Sequence, residues 1–174
     1  MNEIPEITPF LNEVISNFKN KMSASCGRNM MAYLAFQLRS APEGVAVVDL
    51  DKRVMDSQTS KEALAGTIRE LRATHANDLE SLALCMDTYT NTKNTPEAYL
   101  KMVVDGVIRC SDLPTRYRQD AISVRYIHTP EYKETQSWLV RFPYFVKNDT
   151  VTWGDPDWML CGDNASIEGI FGDL

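Results

Sequence analysis

Between Ala121 and Trp153 apolar side chains return at every second position: Ile122, Val124 and Tyr126, then Trp138, Val140, Phe142 and Tyr144. That is the period of a pleated strand with one buried face. The spacing predicts three antiparallel strands in a meander, over 121–128, 137–146 and 150–153. Thr129-Pro130 breaks the chain after the first. Pro143 inside the second removes a ladder donor, which suits an edge or a bulge. Lys147-Asn148-Asp149 supplies a short turn into the third.

Upstream the period changes. Thr8-Pro9 is a hydroxyl cap followed by proline at a first helical position, and Phe10, Leu11, Val14, Ile15, Phe18 and Met22 follow at helical spacing. The pattern predicts a break near 23–27 and a second helix over about 28–39, apolar nearly all round and so covered on both sides. Val45–Val48 reads as a central strand. Thr59 and Glu62 form a capping box for a third helix with Leu64, Ile68 and Leu71 inward. Leu79–Thr90 reads as a second buried strand. Thr95-Pro96 repeats the Thr8-Pro9 device before a fourth helix carrying Tyr99, Leu100, Val103, Val104 and Val107. The expected fold is therefore α+β, one domain over 1–174: a mixed, mostly antiparallel sheet of about five strands, with helices packed mainly on one face.

Composition narrows the function classes. Hydrophobic residues make up 44%, enough for a core without metal or disulfide support. No apolar run approaches the ~20 residues of a membrane span, and the acidic, proline-bearing start lacks the basic flank of a signal peptide, so a cytoplasmic protein is expected. Cys26, Cys85, Cys110 and Cys161 are scattered and form no C-x-x-C pair, so reduced and mostly buried thiols are expected, and no metal site. Net charge is −6, with +2 over 88–128 and −5 over 129–174. There is no basic stripe of the kind that a dedicated nucleic-acid surface carries. The stretch 154–174 holds five acids, no base, and Trp158, Met159, Leu160, Ile167, Ile170 and Phe171. It is too apolar for a plain tail and is expected to dock on its own domain or a partner.

Candidate chemistry is sparse. Val47-Val48-Asp49-Leu50-Asp51 resembles the nucleophile strand of the haloacid dehalogenase phosphatases, in which two aspartates flank one residue. The resemblance covers about seven residues; Lys52-Arg53 then stand where that family has a small or glycine-containing turn and a hydroxyl residue. It implies a Mg²⁺-dependent hydrolase or nucleotide-processing enzyme using Asp49 and Asp51. His75 and His128, the two histidines, share no metal-ligand spacing, and no phosphate-binding or nucleophile-elbow motif occurs. No cofactor is implied. The aromatic belt around Trp138, Trp153 and Trp158, with Arg141 out of phase on β-spacing, suits a sheet core or an interaction face. The reading that results is a small non-enzymatic protein acting through a protein partner or self-association as a homo-oligomer. Its binding candidates are Trp138, Arg141, Trp153, Trp158 and Phe171. The alternatives are the Asp49–Asp51 hydrolase and an acidic decoy that presents carboxylates in place of phosphates, as some phage inhibitors of host systems do.

Overall fold

The computed structural model describes residues 7–28, 32–50, 58–128 and 136–160. In chain order they form α1 (Pro9–Ala24), β1 (Tyr33–Leu38), β2 (Ala41–Asp49), α2 (Gln58–His75), β3 (Leu79–Asn91), α3 (Glu97–Val104), β4 (Arg118–His128), β5 (Gln136–Lys147), β6 (Thr150–Trp153) and β7 (Asp157–Leu160). The fold is α+β. Seven strands make one sheet in the order β2-β1-β3-β4-β5-β6, with β7 also on β5. Every described pairing is antiparallel.

Alternation sends each central strand's side chains into two cores. Tyr33, Ala35, Ala83, Cys85, Ile122, Val124, Tyr126, Trp138, Val140 and Phe142 pack with Phe10, Leu11, Val14, Phe18 and Met22 of α1. Leu34, Phe36, Leu82, Leu84 and Ile127 face the other way and meet Ile68 and Leu71 of α2. The helices thus lie on opposite faces, not mainly on one, and the sheet has seven strands where about five were expected.

The expected second helix is instead β1. Its run Tyr33-Leu34-Ala35-Phe36 is buried at every position because it is covered on both faces. A strand apolar on both sides has no period of two to reveal it, so it imitates a helix apolar all round. Arg39 and Ser40 turn the chain straight into β2, which pairs back on β1. With β1 inside, Val45–Val48 falls at the sheet's edge, and Val47 is 41% exposed.

α1 forms as its sequence suggests. Thr8 is extended, and its hydroxyl accepts from the Leu11 N–H at 3.2 Å. The helix ends at Ala24, and the turn after it holds Cys26 and Gly27 at φ 53° and 75°, with the Gly27 N–H donating to the Met22 carbonyl at 2.8 Å; an L side chain rarely adopts that φ. Its five buried side chains are each worth roughly 1.5–3 kcal/mol of transfer free energy. Phe10 stacks on Tyr126, which is paired with Trp138; Phe18 meets Phe142; and Gly27 abuts Val146. From Phe10 to Phe18 is eight helical residues, about 12 Å, and from Trp138 to Phe142 four strand residues, about 13 Å, so α1 runs along β5. It nevertheless touches both β2 and β6, five strand spacings apart (about 24 Å if flat). A helix about 10 Å across does that only if the sheet curls around it.

The meander of β4, β5 and β6 is present. Asn148 and Asp149, at φ 51° and 57°, make the two-residue turn with left-handed residues that hairpin twist favours. Pro143 keeps the β4 register opposite Ala121; on its other side it falls between β7, which pairs with β5 through Arg141, and β6, which pairs from Tyr144, and the Gly154 N–H donates to its carbonyl at 2.8 Å.

Candidate interaction surface

β3 and β4 pair without interruption from Ser81↔His128 to Asn91↔Arg118, and the chain between them forms a head, residues 92–117, whose turn at Cys110–Asp112 folds back against β3. Its neck is closed by the Thr92 N–H donating to the Tyr117 carbonyl at 3.0 Å, with the Thr95 hydroxyl donating to the same carbonyl at 3.3 Å. The Thr95-Pro96 device therefore works differently from Thr8-Pro9: Thr95 ties the neck, and α3 starts after Pro96 with no side-chain cap. At its other end Gly106 (φ +70°) donates to Val103 and Val107 N–H donates to Met102. This is a Schellman close, which satisfies two otherwise unpaired carbonyls.

Six of the eight residues of α3 are apolar (Ala98, Tyr99, Leu100, Met102, Val103 and Val104), and none is buried. Val104 is 84% exposed and Val107, just beyond, 67%. An eight-residue helix is marginal alone in water. This one is held by its neck, its C-terminal glycine and the Tyr99–Tyr117 ring contact at 5.6 Å. α1 hides its apolar stripe against the sheet, whereas α3 leaves Met102 and Val104 exposed and Tyr99, Leu100 and Val103 only half-buried.

The surroundings of the head are polar and mixed in sign. Residues 92–118 carry five bases against three acids in a chain of net charge −6. Arg118 lies 4.6 Å over Tyr89 and donates to the Ser111 carbonyl at 2.8 Å. Arg116 lies 4.7 Å over Tyr117, and Lys101 pairs with Asp105 at 2.9 Å. Lys93 and Arg109 are exposed. Four residues along β3 from the neck the phenol of Tyr144 donates to Asp87 at 3.0 Å. Partial burial raises the Asp87 pKa, against the lowering by that hydrogen bond, and the nearby Asp120 adds to the rise. Burial, then the Asp87 charge, pushes the Tyr144 phenol upward.

Those of the residues expected from sequence to act that the structure describes lie outside the head. Trp138 is 5% exposed in the α1 core, its indole N–H without a partner among the described residues, so it has little surface to offer. Trp153 is half-buried against Phe18 and Tyr144, with the Lys19 ammonium 5.4 Å from its ring, and Trp158 meets Phe142 edge-on. Arg141 is half-buried between Ser123 and Asp157 on the strands flanking β5. Asp49 ends β2 opposite Tyr33, but its side chain lies outside the described residues, as do Asp51 and Phe171. His75 ends α2 with its ring 5.5 Å from Phe36, while His128 Nδ1 is 2.9 Å from the Ser81 hydroxyl. Among the described residues no group of three or more His, Cys, Asp or Glu is placed to hold a metal. The exposure of α3 was hidden in the sequence, where an apolar helix reads as a covered one; its one trace was that six apolar residues in eight leave no polar face.

No family model, no curated protein and no solved structure matches the chain. Among the described residues no helix is long and apolar enough to cross a membrane.

Proposed function

We propose that this protein acts by binding another protein or a second copy of itself, and that the head between β3 and β4 is the surface it uses. The observation that carries the reading is α3, apolar at six of eight positions with no residue buried. Exposed apolar groups rimmed by polar ones mark interaction sites, and the neck holds this set in a fixed place, which limits the ordering cost of binding. The exposed apolar set, Met102, Val104 and Val107, is small beside the roughly 20–30 residues a side of a standard interface, so the association is weak and reversible.

A photo-crosslinking residue at Val107 tests this in the native cell. One discrete adduct is expected from Val107 and none from the exposed Thr152 on β6. Absence of an adduct at Val107 overturns the reading.

A further inference from the structure

An apolar occupant would cover Met102, Val104 and Val107, and an acidic one would complement the excess of five bases over three acids in residues 92–118, with Lys93, Arg109 and Arg116 exposed. This chain contains such a sequence. Residues 161–174 carry Asp163, Glu168 and Asp173 with no base, and Ile167, Ile170 and Phe171 recur at a spacing of three and four. Resting on the reading of α3 as a binding surface, we propose that the head of one copy receives residues 161–174 of a second copy.

The path length favours a second copy over the same one. Leu160 pairs with Trp138, which pairs with Tyr126, whereas the neck closes beside Arg118. From Tyr126 to Arg118 is eight residues of β4, about 26 Å. From Leu160 to Ile167 is seven residues, at most about 25 Å fully extended. Within one copy Ile167 only just spans to the neck, with α3 still to be reached. Chain length thus leaves Ile167 almost no slack within one copy, whereas a second copy has no such limit. Head and tail are different surfaces, so the contact is heterologous and continues into chains or closes into rings.

The test is sedimentation of the full chain over roughly 1–100 µM, the range suited to a small interface. The wild-type mass should rise with concentration and fall back in about 0.5 M salt, which screens the charged part. Val104→Asp/Val107→Asp disables the head, and Ile167→Asp/Phe171→Asp disables the tail. Each variant should sediment as a monomer. Their equimolar mixture should give a dimer and nothing larger, since one head and one tail remain intact. Unchanged circular dichroism of the head variant, whose two sites are 84% and 67% exposed, confirms that folding is not the cause. A wild type that stays monomeric, or a mixture that forms no dimer, overturns the proposal. So does a monomer whose 97–108 amides lose protection in the tail variant, because that result places the segment on its own copy. If the Val107 probe still traps a different protein, the binding reading stands and only the occupant is wrong; if it traps nothing, both fall.

Discussion

The Tyr144 hydroxyl reaches past β4 to the Asp87 carboxylate on β3, closing a 3.0 Å hydrogen bond across two strand spacings on the inside of the curl. Burial raises the Asp87 pKa, so the folded state holds its proton to higher pH than the unfolded chain does. The sign follows: stability from this group is full below the unfolded aspartate pKa of about 3.9 and is lost as pH rises through the folded value. Asp87→Asn keeps an acceptor for Tyr144 and removes the charge. It should stabilise the protein near pH 7 by roughly 0.5 kcal/mol, a figure kept small by solvent screening. The gain should vanish near pH 3, where both side chains are neutral. Tyr144→Phe removes the donor and should move the Asp87 titration further upward. Carboxyl-carbon NMR and thermal melts at the two pH values check both; a gain from Asp87→Asn that is equal at both refutes the assignment.

Gly27 and Val146 argue a second case. A Cβ at Gly27 would overlap Val146 Cγ2, at a φ of +75°. The backbone part costs an L residue about 1–2 kcal/mol, and the overlap with a stiff β-branched side chain adds to it. Gly27→Ala should lower stability by about 2–3 kcal/mol. Adding Val146→Ala should recover the steric part and leave the backbone part. Urea melts of the two single variants and the double measure the coupling, and additivity of the singles would show that the contact is not close.

What the sequence disclosed and what it concealed both follow from periodicity. Strands with one strongly buried face, β4 and β5, carry a period of two that no helix imitates. α1 carries its cap, its proline and its stripe in the open. β1 was concealed because Leu34 and Phe36 are as buried as Tyr33 and Ala35, so the one signal that separates strand from helix is absent. With β1 misread, the second face, the opposed helices and the edge position of β2 could not be deduced. The candidate surface was concealed for a related reason: hydrophobicity says that a residue prefers to be covered, not by what. Trp138 and Val104 look alike in sequence, yet one is 5% exposed and the other 84%.

Phe18 links the helix to the sheet's far half. It is fully buried, 5.0 Å from the Phe142 ring and 5.6 Å from Trp153. Phe18→Ala should cost about 3–5 kcal/mol through lost burial and a residual cavity. Phe18→Leu should cost less than half of that. Because Lys19 lies over the same two rings, tryptophan fluorescence should report the change in packing around Trp153 before global unfolding. A Phe18→Ala loss under about 1 kcal/mol would mean that α1 is not seated as described.

Cys85 offers a clock for opening of the whole core. It is fully buried between Tyr33 and Val124 on the flanking strands, and burial pushes its thiol up to about 12, against the lowering by the Tyr33 hydrogen bond and the Lys21 charge. The thiolate is the reactive form, so near pH 8 the native Cys85 is both inaccessible and protonated. Cys26 and Cys110 are only half-buried. A thiol reagent added to native protein should therefore modify Cys26 and Cys110 in a fast phase and Cys85 in a slow one. The slow rate should track global stability as denaturant is added, because only opening of the α1 core exposes that sulfur. Gly27→Ala and Phe18→Ala should speed it in proportion to their cost. Peptide mapping identifies which cysteine reacts in which phase. Modification of Cys85 at the rate of Cys110, in folded protein, would mean that the core under α1 opens without unfolding and that the packing described here does not persist in solution.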